Sequence, residues 1–408
     1  MISCVQATPG RYNDQKTRDH MKILMVLDRE FPPDIRVENQ VEALTGAGHQ
    51  VDIACYTRKG RQAVDTFSKA RVFRKPIGTF IYKSSVGCLR FPFYFTFWRS
   101  FVFDLCRDNT YDAVHIHDLP LALIGGELKR EKGIRFVLDL HENWPALLNV
   151  SDHTSTLPGR LLSSDRQWRK YEVDMCSLAD EIIVVVEEAR ARLTGLGIEG
   201  NKITVVSNTL NGNSFVMPGL SPDPSFFTLL YAGGINRHRG LQDVIMALPE
   251  VKTIRPVRLF IAGEGKYIGR LREIARNKEV GDQVHFTGWL AFEKMNELMG
   301  RADICLIPHL KSEHTDYTVP HKLFQYMYAR KTVVASDCLP LKRIIENSGC
   351  GKIYSSGSSG DLAGLLSDLS SGYEELIEMG LRGHRSVKDN YMWEKDAGRL
   401  VGIYNNAN

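Results

Sequence analysis

From Met21 onward, short β-branched apolar runs alternate with helix-length amphipathic stretches, and the alternation comes in two series. The first series is KILMVL (22–27), VDIACY (51–56), AVHIH (113–117), RFVLDL (135–140) and IIVVV (182–186). After a loop around Asn211–Pro224 it restarts with FTLLYAG (227–233), VRLFIAG (257–263), QVHFTG (283–288), ICLIPH (304–309) and TVVASD (332–337). Helical patterns lie between them, such as Val37–Ala47 and Gly240–Leu248. Nearly continuous apolar strands separated by helices belong to parallel sheets covered on both faces. Two series predict an α/β chain of two Rossmann-like, doubly wound domains facing across a cleft. At ~100–200 residues per domain, 408 residues suffice for two cores.

The expected division is a flexible tail at 1–20, a first domain at 21–210, a second at 211–388 and a closing segment at 389–408. The last amphipathic stretch, Met392–Tyr404, comes too late for the second sheet and is expected to pack back on the first domain. Eight cysteines without C-x-x-C pairs or zinc-ligand spacing read as free thiols in a reducing compartment. The first twenty residues are too polar for a secretory signal, and no apolar run approaches the ~18 residues of a membrane span. A cytoplasmic protein is expected, with peripheral attachment to the inner face of the membrane as an extension.

A formal charge of +4 gives no case for nucleic acid, but it hides an uneven distribution. Arg58–Arg99 carries ten basic residues and one acidic residue, a net +9, which leaves −5 on the rest. The stretch runs into RFPFYFTFWRSFVF (90–103), whose aromatics read either as a core helix or as a patch for an anionic membrane surface across 58–103.

Ligands of open parallel sheets bind beyond the carboxyl ends of the strands, so chemistry is sought there. After FTLLYA come Gly233 and Gly234, then Arg237 and Arg239 ahead of a helix, a combination suited to a diphosphate. After VRLFIA, Gly263 and Gly265 allow a tight turn that is neither a dinucleotide fingerprint nor a P-loop. Gly288 and Trp289 offer a flat slot for a base, against a plain core role for the tryptophan. In HTDYTVPHKLFQYMYARK a helix is expected to start near Thr318, Val319 and Pro320. Free amides around Thr318, Val319 and His321 would face a ligand there, with Lys322 and Gln325 on successive turns. In the first half, His141 and Glu142 follow one strand directly, and His117 and Asp118 follow another. The chain has no D-x-D triplet, H-E-x-x-H or G-x-S-x-G, which removes support for metal-dependent and serine-hydrolase chemistry.

Together FPPDIRVENQVEALTGAGHQV, YDAVHIHDLP, LHENWP, ADEIIVVVEEARARL, ITVVSNTLN, YAGGINRHRGL, FIAGEG, VHFTGWL, ADICLIPH and TVPHKLFQYMYARKTVVASD resemble the family 4 retaining glycosyltransferases of GT-B fold. The resemblance covers nearly the whole chain from Met21. It implies sugar transfer from a nucleotide-sugar donor, UDP- or GDP-linked, to a glycan or lipid-linked acceptor, with retention and without a metal or other cofactor. Cell-surface polysaccharide or glycolipid synthesis is the implied setting.

Carried over residue by residue, Arg239 falls on the lysine that holds the donor diphosphate, and Arg237 substitutes for an arginine whose own place is Ile235. His141 falls on the histidine that contacts the donor sugar. The amides at Thr318–Lys322 fall where the family binds sugar and phosphates. Asp34, Arg36, His117, Asp118 and Glu142 lie on the acceptor side. The family's Glu-x7-Glu signature departs here to Tyr317 and Gln325, and the second place is the one that holds the ribose. A non-catalytic nucleotide-sugar-binding subunit and a nucleotide-sugar epimerase of the same fold are the alternatives.

Overall fold

A computed structural model describes residues 20–150, 163–212, 215–219 and 221–405. Apart from His20, the expected N-terminal tail lies outside the described residues. The first sheet has eight strands: β1 (Lys22–Leu27), β2 (Gln50–Thr57), β3 (Val64–Phe67), β4 (Ala70–Pro76), β5 (Ala113–His117), β6 (Arg135–Leu140), β7 (Glu181–Val184) and β8 (Ile203–Val205). Their spatial order is β3-β4-β2-β1-β5-β6-β7-β8. The second has β9 (Phe227–Ala232), β10 (Val257–Ala262), β11 (Val284–Gly288), β12 (Ile304–Ile307), β13 (Thr332–Ser336) and β14 (Gly351–Tyr354), ordered β11-β10-β9-β12-β13-β14. Among the described residues only the β3–β4 pair is antiparallel.

All ten strands read from apolar runs are present, three with the same ends and the rest with ends moved by at most two residues. The exceptions to that reading are β3, β4, β8 and β14. β4 hides in the basic stretch because its burial alternates strictly, with Ala70, Val72 and Arg74 inward. Strand order reverses between β1 and β5 in the first sheet and between β9 and β12 in the second. A polar residue directly after any of these four strands stands at a switch point, where a crevice opens.

Much of the basic stretch is structural. Arg71 pairs with Asp52, Arg74 with Asp65, Arg99 with Glu127 and Arg61 with Glu30. Arg74 is itself buried and donates to Phe31 O. The aromatic run divides: in helix Phe93–Asp108, Tyr94, Phe95, Trp98 and Val102 are core. Phe80, Phe91 and Phe93, by contrast, are exposed and touch one another ring to ring.

Helix Trp393–Asn405 lies on the first sheet's side, although the chain reaches it from the second. Trp393, Leu400, Ile403 and Tyr404 join one core with Val37, Val41 and Leu44 of helix Ile35–Gly46. At ~1.5–3 kcal/mol for a fully buried large apolar side chain, that face anchors the helix. The two crossings between halves run side by side: Leu210 N donates to Tyr391 O (3.1 Å) and Trp393 N to Leu210 O (2.8 Å). Buried Asp396 accepts from Ser207 N (3.1 Å) and the Thr209 hydroxyl (2.6 Å) at the same place. Asp396→Ala leaves both donors unpaired and is expected to cost about 1–3 kcal/mol per orphaned group, read as a lower urea midpoint.

Candidate active site

The ends of β1, β6, β9 and β12 meet at a cavity of about 380 Å³ between the halves. The first domain contributes Arg29, Asp34, Ile35, Arg36, His141, Glu142 and Asn208. The second contributes Arg239, His309, His314 and the run Thr318–His321. Each position has a local cause. Asp34 caps helix Ile35–Gly46 by accepting from Val37 N, while its own N–H donates to Glu38. Arg29 bridges Asp34 (2.7 Å) and Asp118 (2.9 Å), so both carboxylates are engaged. The helix after β12 begins one residue past Pro320, at His321. The extended residues before it cross to the first domain: the Thr318 hydroxyl donates to His141 O (3.3 Å), and Asn208 Nδ2 to Val319 O (3.0 Å).

The second-domain wall is cationic. Arg239 Nη1 meets His309 Nε2 at 3.1 Å, and its buried Nε has no partner among the described residues. Lys322 stands over the Tyr231 ring at 4.0 Å, with no carboxylate paired to it among the described residues. Burial, then Arg239, pushes the Lys322 ammonium well below its ordinary pKa. Burial and Arg239 likewise hold His314 down at about 3, and His309 is depressed by the same two causes. Burial is the larger cause in each case and the Arg239 charge the second, so the second-domain side of the cavity carries positive potential, while Asp34 and Glu142 face it from the first domain. Gly233 (φ +135°) leaves room for this lysine, since a Cβ there would lie 2.6 Å from Lys322 Nζ. At Gly265 a Cβ would lie 1.9 Å from Ile235 O, so the turns after β9 and β10 touch backbone to backbone.

His141 and Glu142 differ in their electrostatics. Burial opposes a charge on His141, but Asp118 and Asp139 outweigh it and raise its pKa. Burial and then Asp118 raise the Glu142 carboxyl, which favours its neutral form. A second cavity of about 270 Å³ adjoins the first at Ile35 and His321. It is lined by Glu38, Asn39, Glu42, Thr209, Leu210, Asn211, Phe215, Phe292 and Gln325. Gln325 therefore lines the second cavity, whereas Lys322, one turn earlier on the same helix, lines neither.

Some expected site residues lie elsewhere. Arg237 is exposed on a 3-10 turn and lines neither cavity. Tyr317 lies under the Arg192 guanidinium (5.4 Å), turned from the cleft because its ring packs on the first-domain seam. Trp289 is 73% exposed, and Gly288, Gly263 and Gly234 act as backbone turns outside the lining. His117 and Asp118 stand behind His141 and Arg29 rather than on the cavity wall, because both are buried at the first sheet's switch point. Arg29, Asn208, His309 and His314 were not singled out from sequence. The signal available for Arg29 and His309 was their place just after a switch-point strand.

Residues 33–209 match the glycosyl transferase 4-like domain model, and residues 219–384 match the glycosyl transferases group 1 model. An uncharacterised glycosyltransferase of Methanocaldococcus jannaschii is 23% identical over 94% of this chain and 98% of its own. The phosphatidylinositol N-acetylglucosaminyltransferase gpi3 subunit of Schizosaccharomyces pombe is 23% identical over 93% of this chain and 79% of its own. Among solved structures, sucrose-phosphate synthase from Thermosynechococcus elongatus superposes with a TM-score of 0.78 at 17% identity, covering 94% of this chain and 98% of that one. The Anabaena protein HepE in complex with UDP-glucose gives 0.66 at 15% identity, covering 94% and 99%. With a sheet pair of this topology and both domain models in order, the chain belongs to the group 1 (family 4) glycosyltransferases of GT-B fold. Gly265→Ala, which forces the β9 and β10 turns apart, is expected to cost about 1–3 kcal/mol and to lower the thermal midpoint.

Proposed function

We propose that the protein transfers a sugar, with retention, from a UDP- or GDP-linked donor to a glycan or lipid-linked acceptor. The observation that carries the reading is the pair of adjoining cavities: one walled by Arg239, His309 and His314 beside Lys322, the other by Gln325 and two phenylalanines. The cationic wall suits a diphosphate, and the amide of Gln325 suits ribose hydroxyls. The donor sugar would then lie toward His141, with the acceptor approaching from the first domain beside Asp34 and Arg36.

The carboxylates in the first cavity favour front-face departure over a covalent intermediate. Asp34 is spent on a helix N-terminus and Arg29. Burial and then Asp118 raise the Glu142 carboxyl, so less of it is in the nucleophilic carboxylate form. A departing diphosphate would be stabilised by Arg239 and the amides ahead of His321. Its released phosphate oxygen could take the acceptor hydroxyl's proton. No metal or organic cofactor is needed by that route. Closure of the halves would keep water from the donor.

The acceptor side supports a membrane partner. Among the described residues no helix is long and apolar enough to cross a bilayer. The exposed Phe80, Phe91 and Phe93, however, stand beside Lys83 and Arg90. Three rings and nearby cations suit an anionic lipid surface, at ~1 kcal/mol per basic residue close to it.

Four measurements test these readings. A panel of UDP- and GDP-sugars should raise the thermal midpoint with one base only, and the sugar that is then hydrolysed identifies the donor. Retention is checked by the anomeric configuration of the product, and binding without any turnover would favour a non-catalytic subunit. Arg239→Ala should slow turnover by the equivalent of ~2–4 kcal/mol, the scale of a lost oxyanion donor; a rate within a few-fold of wild type would remove Arg239 from that role. Flotation with anionic vesicles should occur at low salt and weaken in F80S/F91S/F93S, while equal flotation of that variant would place the contact elsewhere.

A further inference from the structure

Behind the His141 imidazole lies a closed set of buried polar groups that reaches the last helix. Asp139, at the end of β6, has no exposed surface. Arg36 forks onto it through Nη2 (2.6 Å) and Nε (3.1 Å), and Gln40 Nε2 donates to Oδ2 at 2.7 Å. The parallel register sets His117 opposite Asp139 and His115 two residues away on the same strand. Both rings therefore stack at 4.4 Å beside the carboxylate, each with one nitrogen 3.5 Å from Oδ2. His141 Nε2 lies 3.3 Å from Oδ2 and 3.1 Å from His117 Nδ1. On the far side, the Tyr404 hydroxyl meets His115 Nδ1 at 2.7 Å.

These distances fit one set of proton positions. A tyrosine hydroxyl that donates to His115 Nδ1 leaves the proton of that ring on Nε2, aimed at Asp139. His141 Nε2, turned inward to Asp139, also keeps its proton. Its Nδ1, on the cavity wall, is 3.5 Å from Asp118, a weak contact that a sugar hydroxyl can replace. Three donors also converge as a metal cluster would, but the guanidinium of Arg36 already neutralises Asp139.

We propose that Asp139 and Tyr404 are positioning residues, which fix the protonated nitrogens of His115 and His141 and hold the His141 ring with Nδ1 toward the donor sugar. The inference rests on the reading of His141 as a donor-sugar contact. The charged and titratable groups that face His141 are Asp34 and Arg36 at the start of helix Ile35–Gly46, and His115, His117 and Asp118 at β5. Asp139 and Glu142 face it from β6, and His321 from the second domain. Taking the charge from Asp139 leaves Arg36 unopposed, which disfavours the imidazolium.

The test is ¹⁵N-histidine NMR of the whole protein without substrate, with His141 assigned by its loss in H141N, paired with donor hydrolysis of the nucleotide sugar found by the panel. In D139N the His141 titration should move down by about one pH unit or more. Its kcat should fall roughly tenfold or more with donor KM nearly unchanged, as for loss of an orienting partner. An unchanged His141 titration in folded D139N overturns the proposal. Should D139N not fold, Y404F decides, because it removes only a hydroxyl. The ¹⁵N shifts of His115 should then show mixed tautomers and those of His141 should change, and wild-type shifts at both rings overturn the proposal. A shifted titration with wild-type turnover would instead uphold the positioning and count against His141 as a sugar contact.

Discussion

The carboxylate of Asp139 has no contact with water, and the first domain is arranged around that fact. An ion in such a place costs several kcal/mol unless geometry and hydrogen bonds compensate it. Here the compensation comes from Arg36 and Gln40, one turn apart on the helix that follows β1. That helix must therefore sit at one height over the β5 and β6 ends. The same constraint delivers Asp34, its N-cap, to the edge of the cleft. Burial raises the Asp139 carboxyl, but Arg36 first and then His141 outweigh it and hold it well below the ordinary carboxylate range.

Across the cleft the logic is opposite. The second domain gathers Arg239, Lys322, His309 and His314 with no acid of its own among the described cavity-lining residues, and burial, followed by the Arg239 charge, depresses Lys322, His309 and His314. A wall of this kind is held in place by its backbone. The β9 and β10 turns touch through Gly265 and Ile235, and the β12 loop is tied by Ser336 Oγ to His309 O at 2.5 Å. Positive potential is then fixed before any anion arrives, which is the condition for stabilising charge that appears only on bond breaking.

Fold class was legible because parallel strands buried on both faces leave long apolar words in the text, and ten such words became ten strands. β4 was obscured because its outward Arg71 and Lys75 are basic, so the segment read as charge before it read as alternation, and β3 because it is four residues long and mostly exposed. Within the site, His141, Glu142, Arg239 and the Thr318–His321 run were readable from their place after strands, and all line the cavity. Asp139 was not, since it sits inside the apolar word RFVLDL and declares its role only when β5 is set beside it. Arg237 and Arg239 were indistinguishable by composition. A single 3-10 turn sends one to solvent and the other to His309.

The helix that ends at Asn405 completes a core begun nearly four hundred residues earlier. During synthesis the first sheet therefore emerges with an open apolar seam along helix Ile35–Gly46, and nothing in its own segment can close it. The second domain must be made, and its chain returned past Leu210, before that seam is covered. A fragment cut between the halves would accordingly expose Val37, Val41 and Leu44, and would need the terminal helix supplied in trans to become a native first domain.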